Sequence, residues 1–380
     1  MTSQSDPSSP KQNILHGNGF PPSRRGGLFG GAALPVLGAL ATLLATSLPS
    51  RGAVTVLYFD PNNAVAESGV VDNASPTYVW DTSNANSARI WTDVPAGAGG
   101  PSDVNSWTNG IKAVFSASTD AADNTYTINA NVAITFNALQ VEEGAVTIGL
   151  AAGGSLALAA TNTIIDVAPA TSSPLNLSSL KITAAIGGGT NGIEKTNGGV
   201  LTLSGTNTYT GVTKITGGTL LMGANNVLAN TSGVTLSGGK LATGGFSDTA
   251  GAFSLTATSV IDMGASNSIL TLQSIASWDL SKKLEIWNWT GAVNTAGLTD
   301  QLIFLNHSGF TNFNASQVQF FSGAGGSTQV GSGAKFIGNE LVAVPEASTV
   351  AGIAVLVGLV GWRERKYFLR HREVPVGTPS

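Results

Sequence analysis

Short runs of alternating apolar and polar residues, each closed by glycine or serine, recur along most of this chain. The clearest stretch is 198–223, GGVLTLSGTNTYTGVTKITGGTLLMG, in which Leu, Val, Ile and Thr alternate over 200–203 and 212–216. Period-two alternation of β-favouring residues predicts strands of about four to six residues, and the flanking glycines predict tight turns. The segment 205–211 between the two runs is polar and glycine-bounded, so it is expected to turn a corner. Units of the same kind stand at 233–239 and, more loosely, at 144–149. A strand this short cannot bury its apolar edge alone, but neighbours stacked in register can. The pattern therefore predicts an all-β coil of rungs, a parallel β-helix.

The alternation extends in both directions. Runs at 125–128, 132–136, 139–141, 146–150, 156–158, 164–167 and 180–182 precede the central stretch, and 260–263 and 269–272 follow it. Strand centres about seven to ten residues apart fit three strands per turn of roughly twenty-odd residues, and about a dozen rungs in all. No proline-rich linker or charge block interrupts the run, so residues 53–343 read as one domain. The open ends of a coil are edge strands that need covering. Residues 53–110, with Trp80, Trp91 and Trp107, are expected to form the N-terminal cap and first rungs; stacking of these rings on a sugar is the alternative. Residues 278–343, with bulkier strands at 284–289, 300–305 and 318–321, are expected to form the C-terminal cap, and 335–342 the last strand.

Composition narrows the function classes. The chain has 380 residues, 48 glycines, no cysteine and 11% charged residues, with a net charge of -4. Half of the 18 basic residues lie in the two end segments, which leaves 54–343 mildly acidic. Phosphate contacts need clustered Lys and Arg, so nucleic-acid binding is excluded. Absent cysteine excludes disulfides and thiolate metal sites.

Both ends read as targeting segments. Residues 1–22 are polar and expected to be disordered. Arg24 and Arg25 then precede the apolar run 28–48 and small residues at 45, 47 and 50, the order of a secretory signal. Residues 1–52 are thus expected to be a leader with a signal helix cut near 47–53; a transmembrane anchor is the alternative. At the other end, 344–380 holds Val344, Pro345, Glu346 and Ala347, an apolar run at 349–362, and then Arg363, Arg365 and Lys366. Fourteen helical residues span about 21 Å, short of the roughly 30 Å hydrocarbon core, so a transmembrane helix here relies on snorkelling of its basic stop. The positive tail fits a cytoplasmic end.

Two resemblances sharpen the reading. The segment Leu201-Thr-Leu-Ser-Gly-Thr-Asn-Thr-Tyr-Thr-Gly211, followed by Gly217-Gly-Thr-Leu220, resembles the autotransporter-associated β-strand repeat of bacterial surface and secreted proteins. That resemblance implies a right-handed β-helical, passenger-like body. The tail resembles the PEP-CTERM sorting signal. This implies that Val344, Pro345, Glu346 and Ala347 form the processing motif of an exosortase-type membrane enzyme and that Arg363, Arg365 and Lys366 are the transmembrane stop. Ala347 stands where that family usually has a second proline.

No catalytic constellation is legible. His307 is the only histidine between the two ends, and a lone loop histidine reads as structure before catalyst. Asp166, Glu194, Lys195, Lys214, Lys240, Asp248 and Asp262 stand apart in sequence, although residues one turn apart become neighbours in a stack. Glu142 and Glu143 are adjacent and so face opposite ways on a strand. Gly187-Gly-Gly-Thr-Asn-Gly192 lacks the Lys-Ser/Thr of a phosphate loop, and the glycine-rich calcium nonapeptide is absent. Strands this short exclude an outer-membrane barrel. The expectation is an exported structural or adhesive surface protein that is not an enzyme and uses no cofactor or metal. Its partners would be the membrane through the C-terminal helix, the sorting enzyme and extracellular polysaccharide. The alternative is a β-helical polysaccharide lyase or hydrolase.

Overall fold

A computed structural model describes residues 56–59, 77–82, 91–92, 107–115, 125–142, 144–169, 178–297, 299–345, 359–360, 362–363 and 365, all within the unit Ala53–Ser380. The expected leader and signal, 1–52, lies outside them, as do Glu346, Ala347, Lys366 and Glu143.

The described coil is all-β. Its strands alternate between a sixteen-stranded sheet and an eleven-stranded sheet, here the larger and the smaller. In the smaller sheet, ten strands from Thr77–Trp80 to Val318–Ser322 pair in parallel, each with the strand one turn further along the chain. Val200 pairs with Thr219, Thr219 with Lys240, and Lys240 with Val260, so the central turns are nineteen to twenty-one residues long. Where its strands are longest, the larger sheet bends to supply two sides of a turn. The front half of Ala133–Val141 pairs with Ser155–Leu158, and its rear half with Asn162–Val167. Two sides from the larger sheet and one from the smaller give the expected three, an arrangement compatible with a parallel β-helix.

Alternation places every second side chain inside, where like residues stack from turn to turn. One inward column of the smaller sheet runs Tyr126, Val146, Leu180, Leu201, Leu220, Leu241, Ile261, Ile286, Phe320, and all nine are buried. Burying one such aliphatic side chain stabilises by about 1.5–3 kcal/mol.

The ends depart from the parallel pattern. Trp91–Thr92 lies antiparallel to Val56–Phe59, and Phe59, Trp80, Trp91, Trp107 and Phe115 pack edge to face and tilted in the core. These tryptophans are packed inside, as in the first of the two sequence readings, and offer no ring to a sugar. At the other end, Thr328–Ser332, Ala334–Ile337 and Glu340–Ala343 run antiparallel to their neighbours. The sequence reading of 335–342 as one strand is corrected: a reversal at Gly338, φ 61°, divides it into a hairpin.

Candidate functional site

Outward residues on successive turns form columns, so groups scattered in sequence meet on the surface. Among the described residues, three such meetings involve charges that stand apart in the sequence. Glu194 and Lys214 are register partners, with Oε1 to Nζ at 3.0 Å, and Asn162 donates to the same carboxylate. Burial works to raise the Glu194 carboxyl, but the bonds from Asn162 and Lys214 outweigh it and hold the pKa below the ordinary value. Asn197 donates to Asp166 at 3.1 Å. Lys240 reaches Asp262 on the next turn at 3.3 Å.

The third meeting borders a cleft of about 360 Å³ on the outer face of the smaller sheet. It is lined by three glycines, 218, 238 and 239, and by Thr219, Lys240, Thr258, Val260, Glu285 and Trp287. Trp287 Nε1 donates to Glu285 at 3.0 Å, and the Lys240 ammonium sits 5.4 Å from the indole centroid. Asp262 holds the lysine and also accepts from Asn288 Nδ2 at 2.6 Å and from the amide of Gly264 at 3.1 Å. A Cβ on Gly326 would stand 3.0 Å from Trp287 Nε1, so the 3-10 turn Ala324–Gly326 presses on the ring. Of the six tryptophans in the described coil, five are buried, and Trp287 is the one left half-exposed. The sequence reading placed Trp287 in a capping strand. The outward parity of Trp287 against buried Leu284 and Ile286 was the available signal.

Two of the isolated charges turn out to be internal. Lys195 takes its place in the inward column Leu139, Ile165, Lys195, Ile215, Leu236, Leu255 and is fully buried. Its ammonium donates to the carbonyls of Thr196, Asn197 and Gly217 at 2.5, 2.9 and 3.4 Å, which close the adjoining turns. Burial pulls its pKa down to about 8, against the pull of Asp166. Asp248 is buried and accepts the amides of Val227, Leu228 and Thr249 at 2.7–2.9 Å. Burial nevertheless raises its carboxyl to about 6.

His307 stacks on Phe336 with its ring nitrogens 2.9 and 3.1 Å from the carbonyl oxygens of Phe310 and Gly338, so it ties a loop to the hairpin. Of the tail, Val344 continues the backbone bonding of the hairpin, to Gly333 and from Ser332. Pro345 follows it directly, and Leu359, Val360, Trp362, Arg363 and Arg365 are helical and exposed. Among the described residues no helix is long and apolar enough to cross a membrane.

Residues 193–222 match the family model of the passenger-associated-transport-repeat. Comparison with curated proteins and with solved structures gave no match. The repeat covers 30 of the 380 residues, so it identifies this segment and not the whole chain. Several of its polar positions have a physical task. Lys195 ties the first turn. Asn207, in the segment expected to turn a corner, is buried; its Oδ1 accepts from Ile186 N at 2.8 Å and its Nδ2 donates to Val227 O at 2.6 Å. That one amide joins the turns above and below a segment that forms no strand. Tyr209 is buried beside it and bonds Thr213 Oγ1 at 2.8 Å, which in turn meets Ser232 Oγ at 3.2 Å. The segment 205–211 is thus a side of the repeat that turns Asn207 and Tyr209 inward and Thr206, Thr208 and Thr210 outward, held by these side chains together with backbone bonds to the preceding turn.

Proposed function

We propose that this chain is an exported structural or adhesive protein of the bacterial surface or extracellular matrix. In this reading it is built on a right-handed parallel β-helix with capped ends and has no catalytic activity. The observation that carries the reading is the passenger-associated-transport-repeat at 193–222, set among the most regular turns of a long parallel coil. Passengers of that kind are exported β-structural bodies, and a chain whose outer columns are mostly Thr, Ser and single charges suits such a role. Parallel crossovers are right-handed in about 98% of cases, which favours that hand here. The antiparallel strands at both ends serve as the caps an exposed parallel edge requires.

The two ends supply transport in this reading. Residues 1–52 direct export, and 344–380 hold the chain at the membrane through its apolar helix and the stop at Arg363, Arg365 and Lys366. An exosortase-type enzyme then recognises Val344, Pro345, Glu346 and Ala347. Expression of the full chain in a bacterium that has such an enzyme, followed by fractionation and intact mass, tests this. The expected product is extracellular or envelope-bound, begins near 48–54 and ends close to Glu346. A full-length mass in the cytoplasmic fraction would overturn it.

A further inference from the structure

We infer that the cleft between Gly218 and Trp287 is a binding site for a neutral oligosaccharide laid along the axis of the coil. The inference draws on the surface placement proposed above only for where such a ligand would be met; the cleft itself is argued from its geometry.

The first ground is the aromatic ring. An indole of purely structural use goes inside, as the other five tryptophans of the coil do. Trp287 is held by the Glu285 carboxylate, the Lys240 ammonium and the backbone at Gly326, yet its ring remains partly open to the cleft. A fixed, partly wetted aromatic face is suited to the apolar face of a pyranose, and its orientation is set before the ligand arrives. The second ground is the lining. Around the ring stand the backbone at Gly218, Gly238 and Gly239 and the hydroxyls of Thr219 and Thr258, which supply donors and acceptors suited to sugar hydroxyls. The turns stack about 4.8 Å apart, and a glycan lying across Thr219, Lys240 and Val260 would set roughly one sugar on each.

Charge selects the class. The lining holds one cation, Lys240, and one carboxylate, Glu285, and the second carboxylate, Asp262, is bonded to that lysine. The ammonium is already committed to Asp262 and the indole, so a uronate or sulfate would meet uncompensated negative charge. Sugar hydroxyls, by contrast, can donate to Glu285 and accept from Lys240. Asp262 accepts from Lys240, Asn288 and Gly264 together, so it acts as a positioning residue for the lysine.

The test uses the full chain in titration calorimetry with a neutral β-linked glucohexaose, a neutral β-linked galactohexaose and hexagalacturonate. We expect saturable binding of at least one neutral hexaose and weaker or no binding of the galacturonate. Trp287→Ala should weaken binding at least tenfold and Trp287→Tyr should restore most of it. Glu285→Gln and Asp262→Asn should each weaken it several-fold, Glu285→Gln with an unchanged thermal midpoint. No binding of any neutral hexaose, tighter binding of the galacturonate, or a Trp287→Ala variant that binds as the wild type does would each overturn the assignment. Turnover of the hexaose would support the cleft and overturn the non-enzymatic reading, whereas a cytoplasmic location would overturn only the export.

Discussion

At the residue scale, the informative positions are those where a buried polar group completes the backbone of neighbouring turns. Asp248 shows the consequence for pH. Burial raises its carboxyl to about 6 from 3.8 in the unfolded chain, so between those values the folded state keeps a proton that the unfolded state has released. Its contribution to stability is fully present below the lower value and is lost as pH rises through about 6. We expect the stability gap between wild type and Asp248→Asn to be larger near pH 5 than near pH 7.5, read from thermal midpoints of the two chains. The variant should be the less stable at both, because its amide turns a donor toward backbone N–H groups at Val227, Leu228 or Thr249. A gap that does not change with pH would show that the carboxyl is not raised. Lys195 shows the opposite sign: its folded pKa is lowered to about 8, so its charge burdens the fold at neutral pH, and that burden lifts as pH rises above 8.

At the scale of the element, the paired glycines before three central smaller-sheet strands, at 198–199, 217–218 and 238–239, set how closely turns can stack. Gly218 has φ 59°, and a Cβ there would stand 2.3 Å from the carbonyl oxygen of Gly199 on the preceding turn. Backbone meets backbone at that point, so no side chain can move aside. Gly218→Ala should therefore cost more than about 2 kcal/mol, the left-handed penalty plus the clash. Chemical denaturation would read it as a lowered midpoint with an unchanged slope; a midpoint within error of wild type would contradict it. These glycines and the alternating runs between them made the strands legible in the sequence. Their closure into three sides was legible too, because the spacing of strand centres is local information. The inward turn of 205–211 was not. Asn207 and Tyr209 look like surface residues until Ile186 and Val227, each about one turn away, are brought beside them. Lys195 in an apolar column and Trp287 beside Lys240 were hidden for the same reason: composition reports what a residue is, and only register reports what it touches.

At the scale of the whole coil, each turn contacts chiefly the turns before and after it, so stability should accumulate nearly as a sum over turns. The central turns are close to interchangeable, since Thr219 and Lys240 hold the same register position. Deleting 219–239 joins Gly218 directly to Lys240 and should give a chain one turn shorter that still folds. Circular dichroism should keep its β signature with a modest fall in the unfolding midpoint. A loss of folded signal would mean that the coil depends on this turn in particular. The position of each end was also partly legible, from its concentration of aromatic residues, but the reversal at Gly338 was not, because one glycine in a β-rich run does not announce a hairpin.

The division of most strands into inward and outward positions carries a further consequence. The lumen is filled chiefly by aliphatic and aromatic side chains with a few polar groups tied to backbone, whereas the exterior is written independently, one letter per lap of the chain. A mutation at an outward letter redraws a single tile of a long mosaic without disturbing what lies beneath it. Such a molecule can therefore acquire, move or erase recognition along its flank while its interior stays fixed.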